Sequence, residues 1–412
     1  MIEETRLPDN VMAELLRIVP GPEPPLEIRL PRIPVVEEAL SRQIIPVADP
    51  RLDGNELQYL TQCVQSNWIS SAGRFVREFE DAFAQLVGCR YGVACSNGTT
   101  SLHLALACFG LGAGDEVVLP AFTMIATANT VRYTGATPVL VDSERDTWNL
   151  DTARIDTAVT ARTKGIIVVH TYGHPVDLDP VLAVARRRGL WVLEDAAEAH
   201  GATYRGQPAG SIGHAASFSF YANKIITTGE GGMVTTNDPE IARLGRRLRD
   251  HAFSDERHFW HKYVGFNYRM TNMQAAVGLA QTERLEELVR IRRDNAARYS
   301  AQLKRIPGLT LPVERPWARN VYWVYGVVVE DAFGISRDEL RRRLARRGIE
   351  TRTFFIPIHL QPIYYELFRG QRFPVAEELC RRGLYLPSGA TLTEAEVAYV
   401  CEAVADAREE RG

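Results

Sequence analysis

From about residue 53 onward, short apolar runs alternate with stretches of helical periodicity. Gly92–Cys95, Glu116–Leu119, Pro138–Val141, Ile166–Val169 and Leu190–Leu193 are near-continuous apolar runs bounded by turn residues. Runs of this length suit strands covered on both faces, so the pattern predicts an α/β fold with a mainly parallel sheet. Ala216–Phe220 and Gly232–Thr236 follow one another too closely for a full crossover helix at each step, which predicts that part of the sheet is mixed. Helices are expected at 53–66 and 74–87. A long polar helix over 273–305 carries Glu283, Arg284, Glu286, Glu287, Arg290, Arg292 and Arg293. Beyond it a smaller unit offers a strand at 322–329, a helix at 337–347, an edge run at 351–355 and a last helix at 393–408.

Residues 1–45 break this pattern. Seven prolines fall between Pro8 and Pro34. Proline removes donors and stops helices, so the stretch reads as a tail or an arm laid over a surface, with room for a short helix near 10–18. It is too small for a winged-helix DNA-binding module. The expected organisation is therefore a proline-rich extension (1–45), a large domain (46–290) and a small C-terminal domain (291–412).

Composition narrows the function classes. The 412 residues are 45% hydrophobic and 24% charged, with net charge −3, which supplies no general attraction for nucleic acid or an anionic membrane. The arginine clusters at 186–188, 346–347 and 381–382 each precede a glycine. They read as helix C-termini, where cations meet the negative dipole end and glycine takes the left-handed cap. Cysteines 63, 89, 95, 108, 380 and 401 form no CxxC pair, and no metal site is expected; free thiols fit a reducing cytoplasm. No stretch approaches the roughly 20 apolar residues that span a bilayer, and no signal-peptide core is visible.

The chemistry centres on Lys224. It sits in Ser217-Phe-Ser-Phe-Tyr-Ala-Asn-Lys224, followed by Thr227-Thr-Gly-Glu-Gly-Gly232. Asp195 ends the run Leu190-Trp-Val-Leu-Glu-Asp195. A buried lysine can lose its proton and attack an aldehyde, and a buried carboxylate can keep a pyridine nitrogen protonated; both demands belong to pyridoxal phosphate (PLP). A structural Lys–Asp ion pair is the plainer reading of the two residues alone. Ser96-Asn-Gly-Thr-Thr-Ser101 lies between a strand and an apolar helix, where free N–H groups and the positive dipole end favour a phosphate. It could also be an ordinary N-cap. Ser219 could place its hydroxyl on the same phosphate.

These segments together make the chain resemble the DegT/StrS-type sugar aminotransferases, PLP enzymes of fold type I, from about Pro46 to 410. The resemblance is carried by Trp68-Ile-Ser-Ser71, Ser96-Asn-Gly-Thr99, Gly114-Asp-Glu-Val117, Pro120-Ala-Phe-Thr123, Tyr172-Gly-His-Pro175, Glu194-Asp-Ala-Ala-Glu-Ala199, Lys224 with Thr228-Gly-Glu-Gly-Gly232, and Asn267-Tyr-Arg-Met-Thr-Asn272. Within the family the chain looks most like the branch that aminates C4 of GDP-4-keto-6-deoxymannose. The resemblance implies L-glutamate as amino donor, pyridoxamine phosphate as the intermediate cofactor form, and a homodimer with shared active sites. Aminotransferases for dTDP- or UDP-keto sugars, or for 3-keto sugars, are the alternatives.

The resemblance also assigns roles. Lys224 would bond the cofactor aldehyde and then shuttle a proton. Asp195 would pair with the pyridine nitrogen, and Glu198, read as one helical turn further on, would face the cofactor hydroxyl. Gly98, Thr99 and Ser219 would hold the phosphate, and Asn267 would reach the phosphate of the neighbouring subunit. Met124 stands where many relatives place an aromatic residue over the ring; whether Phe122 compensates is not legible in the sequence. Trp68, Ser70, Ser71 and His359 are candidates for contact with the nucleotide sugar. His170, His174 and His200 read as structural, and the 322–325 aromatic cluster as core. Family dehydratases lack the Schiff-base lysine, so Lys224 argues against that chemistry. The intact Lys–Asp–Ser set argues against a non-catalytic sensor.

Overall fold

A computed structural model of the chain describes residues 7–21, 44–254, 256–257 and 259–410. The proline-rich run 22–34 of the extension lies outside them. The expected short helix is present as Asp9–Ile18, with Leu15 buried.

A seven-stranded sheet organises the larger part of the molecule. Its spatial order is Tyr91–Cys95, Gly232–Thr236, Ala215–Ser219, Trp191–Asp195, Thr163–Val169, Glu116–Pro120 and Thr137–Val141. Gly232–Thr236 runs antiparallel to both neighbours, and the other pairings are parallel, so the sheet is mixed at the predicted place. Three of the seven strands, Glu116–Pro120, Ala215–Ser219 and Gly232–Thr236, have every residue buried, which is why their sequences do not alternate between apolar and charged positions. Helices Glu56–Gln65, Arg74–Leu86, Gly98–Cys108 and Leu178–Arg188 are among those that cover the sheet. Phe79 and Phe83 come from one of them and meet Phe218 and Phe220 from the sheet edge-on, at 4.8 Å for Phe83–Phe218 and 5.1 Å for Phe83–Phe220. Such pairs contribute about 0.5–1.5 kcal/mol each beyond their burial.

A second, antiparallel sheet orders Leu309–Thr310, Tyr325–Val329, Gly383–Leu386 and Arg352–Thr353. Helices Arg337–Arg346 and Glu394–Glu409 pack beside it around a separate apolar cluster that includes Leu340, Leu344, Val397 and Val400. Ile45 bridges Ile349, tying the residues after the extension to this unit.

Three expectations need correction. The 273–305 helix is two helices, Asn272–Thr282 and Leu285–Leu303. Arg284 leaves helical geometry between them (φ −116°, ψ 9°), its guanidinium bonded to Glu287 and Asp53. The strand expected from 322 begins at Tyr325, because Tyr322 takes a left-handed φ of 46°. Gly189 and Gly348 do adopt the left-handed cap (φ 67° and 72°), whereas Gly383 has φ −86° and passes directly into a strand. Its lack of a side chain serves packing instead, since a Cβ there would fall 2.0 Å from the Phe354 ring.

Candidate active site

The carboxyl ends of the same-direction strands carry the candidate residues, as expected for ligand sites in open α/β sheets. Asp195 closes the strand Trp191–Asp195, Ser219 closes Ala215–Ser219, and Asn97–Thr99 follow Tyr91–Cys95. Lys224 lies just beyond Ser219, its N–H closing a turn onto the Tyr221 carbonyl at 2.9 Å.

Lys224 is largely enclosed, with 11% of its side chain exposed. Its Nζ is 3.9 Å from Glu198 Oε1 and 3.7 Å from the centroid of the Trp323 ring. Burial pushes its pKa down; Glu198 and Asp195 oppose that shift and Arg292 adds to it. The consequence is an amine closer to its nucleophilic, uncharged form than a surface lysine is.

Asp195 is buried and forms no ion pair among the described residues. Thr127 Oγ1 donates to its Oδ2 at 2.9 Å and the Ala197 N–H to its Oδ1 at 3.3 Å. Burial raises its pKa despite those donors. A buried carboxylate without a cation is a poor structural choice and a good receptor for a ligand's protonated ring nitrogen. Thr127 was not legible as a site residue; its hydroxyl lies 3.2 Å from that of Thr123, which stands in the bend before the helix Ile125–Tyr133.

Glu198 sits in a tight turn after Asp195, not on a helix, so the expected helical-turn relation does not hold. The Ala199 N–H bonds the Ala196 carbonyl at 3.0 Å there. The Glu198 carboxyl accepts the Tyr172 N–H at 2.7 Å. Tyr172 offers that N–H from a left-handed conformation (φ 54°, ψ 18°), sparsely populated for a bulky residue and concentrated at functional sites. Burial raises the Glu198 pKa to about 7.

The candidate phosphate cradle is built by a helix start. Asn97 caps Gly98–Cys108, its Oδ1 accepting the Thr100 N–H at 2.9 Å while Thr100 Oγ1 accepts the Asn97 N–H at 3.1 Å. The first intrahelical bond is Ser101 N–H to the Asn97 carbonyl, so the N–H groups of Gly98 and Thr99 precede it and stay available. Gly98 faces Ser219 so closely that a Cβ would lie 2.6 Å from Ser219 Cβ. The tight approach leaves two N–H groups and one hydroxyl around a space at the positive end of a helix. Acid, amine and anion cradle together fit PLP, which asks for these three groups at once.

The other candidates are distributed differently. Met124 is half exposed at the start of helix Ile125–Tyr133. Phe122 does not compensate for it, being fully buried against Tyr172, Phe354 and Phe355. The backbone around Trp68–Ser71 is gripped by Asn272, whose N–H reaches the Ser70 carbonyl at 2.7 Å and whose Nδ2 reaches the Trp68 carbonyl at 2.6 Å. The side chains of Trp68 and Ser70 point outward, and Trp68 borders a groove of about 1090 Å³ that does not include Lys224. Asn267 is exposed, accepting from Arg269 Nε at 3.1 Å, and takes no part in this protomer's pocket. His359 is buried, 3.2 Å from Glu377 and packed on Phe373, so its ring is engaged away from Lys224. His170 bonds Glu194 at 3.0 Å and accepts the Val176 N–H, and His174 accepts the Arg315 N–H, both structural as read. His200, enclosed by Phe83, Phe218 and Phe220, is held neutral, its pKa pushed down to about 3 by burial. All six cysteines are free, and no helix of the described residues is long and apolar enough to cross a membrane.

Comparison with known proteins agrees with this geometry. The sequence profile of the DegT/DnrJ/EryC1/StrS aminotransferase family matches residues 50–405. A GDP-perosamine synthase from Caulobacter vibrioides is 50% identical over 361 residues, covering 87% of this chain and 97% of its own. Among solved structures, S. venezuelae DesV in complex with a ketimine intermediate superposes with TM-score 0.82 at 35% identity, covering 94% of this chain and 100% of its own. The PLP form of the putative sugar aminotransferase Spr1654 from Streptococcus pneumoniae gives TM-score 0.83 at 28% identity, covering 89% and 99%.

Proposed function

The chain belongs to the DegT/DnrJ/EryC1/StrS aminotransferase family, and from that premise we propose that it moves the amino group of L-glutamate to GDP-4-keto-6-deoxymannose, yielding GDP-perosamine. It is a PLP-dependent transaminase. The observation that carries the reading is that the largely enclosed Lys224 interacts electrostatically with the buried Asp195, five residues beyond the strand end where Ser219 meets Gly98. The choice of sugar is supported by the 50% identity to a GDP-perosamine synthase along nearly its whole length.

Each side chain has a task the geometry allows. When bound, PLP supplies an aldehyde that condenses with amines and a ring that accepts the electron pair released at the donor α-carbon. Lys224 Nζ, its pKa lowered by burial, would take the proton from that α-carbon and, in the second half-reaction, deliver one to the sugar carbon that receives the amine. Asp195, oriented by Thr127, would hold a proton on the ring nitrogen. Glu198, with a pKa of about 7, can donate to or accept from the ring hydroxyl. The N–H groups of Gly98 and Thr99 and the Ser219 hydroxyl would hold the phosphate.

The site is completed by a second copy in this reading. Phe259, Trp260, Tyr263 and Val264 are exposed in the segment that leads to Asn267, and so are Trp68 and Ile69. Exposed apolar surface of this kind is buried in a homodimer, bringing Asn267 to the partner's phosphate and Trp68, Ser70 and Ser71 over the nucleotide sugar. Two separate sheets support the division into a large cofactor-holding unit (46–290) and a smaller one (291–412). Six free thiols support a cytoplasmic setting.

The direct test is to incubate the PLP-loaded protein with glutamate and a panel of GDP-, dTDP- and UDP-linked keto sugars. Release of 2-oxoglutarate with formation of a GDP-4-amino sugar is expected. Turnover with dTDP or UDP sugars alone would reassign the substrate, and binding of the sugars without turnover would overturn the enzyme reading.

A further inference from the structure

We propose that Trp323 is a positioning residue for Lys224: its indole face is the platform on which the ε-amine rests whenever that amine is free of the cofactor. The inference rests on the aminotransferase reading above. Lys224 Nζ lies 3.7 Å from the centre of the Trp323 ring, slightly nearer than the 3.9 Å to Glu198. The face of an indole is electron-rich and attracts an ammonium, most strongly where water is excluded. Both residues are enclosed here, Trp323 being 4% exposed.

The ring is tied to the lysine it serves. Trp323 Nε1–H donates to the carbonyl of Asn223, the residue before Lys224, at 2.8 Å. Arg292 Nη1 donates to the Trp323 carbonyl at 2.6 Å and to that of Ser388 at 2.8 Å, while Arg292 Nη2 reaches the Lys224 carbonyl at 3.4 Å. Lys224, Trp323 and Arg292 thus close a circuit that links both sheets through the helix Leu285–Leu303. Arg292 is buried with carbonyl acceptors and no carboxylate partner among the described residues, so its bonds serve backbone placement. Tyr322, strained at φ 46°, turns the chain just before the tryptophan. An aromatic residue in an aromatic-rich strand reads as core from sequence, which hid this contact.

The charged and titratable groups around Lys224 are Glu198 and Asp195, which favour the ammonium, Arg292, which disfavours it, and His200, which is neutral. Trp323 adds an attraction that does not titrate away. An ammonium formed at Nζ therefore stays against the ring, beside the acids and out of solvent.

The chain has four lysines, 164, 224, 262 and 304, so trace acylation with acetic anhydride across a pH series, read by mass spectrometry, isolates the titration of Lys224. The measurement uses the full-length chain freed of PLP, so its outcome is independent of any transamination assay. Trp323→Leu is expected to lower the Lys224 midpoint by about half a pH unit or more while the other three lysines stay put. Trp323→Phe, which keeps a weaker π face and loses the indole N–H, should fall between. Coincident curves for the three proteins would overturn the proposal. Should the leucine variant not fold, uniform trifluorinated tryptophan, which withdraws ring electron density with little change of shape, decides the matter: the Lys224 midpoint falls, or it stays and the platform is refuted.

Discussion

Thr127 Oγ1 donates to Asp195 Oδ2 at 2.9 Å, so the acid proposed to face the cofactor nitrogen is aimed by a helix from a different crossover of the sheet. Removing the hydroxyl leaves a buried carboxylate with one donor fewer, and hydrogen bonds to charged groups contribute about 1.5–3 kcal/mol. Thr127→Val should therefore raise the Asp195 pKa further and weaken PLP binding by roughly tenfold or more. Absorbance titration of the cofactor-free variant with PLP checks this; unchanged affinity would mean the bond is incidental.

Glu198 predicts a pH dependence with a definite sign. Its pKa in the fold is about 7, against an ordinary 4.5. A raised acid binds its proton more tightly when folded, so the stability it contributes is present below pH 4.5 and is lost as pH rises towards 7. In the cofactor-free protein, Glu198→Gln should flatten that decline and leave the variant relatively more stable at pH 8. Thermal unfolding from pH 5 to 8 measures it, and parallel curves for the two proteins would contradict the assignment.

Gly98→Ala places a methyl 2.6 Å from Ser219 Cβ, a contact that only separation of the helix start from the strand can relieve. Overpacking of this kind costs about 1–3 kcal/mol, and it opens the cradle at the same time. The variant should fold with a lowered unfolding temperature and lose PLP on dialysis. Full retention of cofactor would remove Gly98 from the phosphate site.

Shared active sites predict complementation. Lys224→Ala and Asn267→Ala should each be inactive alone. Mixed under conditions that exchange subunits, they should recover about a quarter of wild-type activity at equal amounts, since half the dimers are mixed and each carries one intact site. No recovery would place Asn267 outside the neighbouring site.

The parts of the site that sequence reveals are those whose chemistry is unusual for their position. Lys224 after an apolar strand, Asp195 at a strand end and Gly98 at a helix start each break the local pattern in a way that needs a ligand. Trp323, Thr127 and Arg292 break nothing: an aromatic in a strand lead-in, a threonine on a helix and a polar-helix arginine are what those elements ordinarily carry. Their importance arises from tertiary approach alone, which periodicity does not encode. The strand pattern was legible because two-sided burial leaves near-continuous apolar runs, whereas the break at Arg284 depends on partners such as Asp53, more than 200 residues away. His359 fits its motif, yet Glu377 and Phe373 claim it.

Asn272 holds residues 68 and 70 by their carbonyls, bonds that any side chain at those positions would leave intact. The loop is thus a fixed frame with interchangeable fittings. Exchanging Trp68, Ile69 or Ser70 changes the face the loop presents without loosening its mounting, so that surface can vary one substitution at a time while Asn272 stays constant.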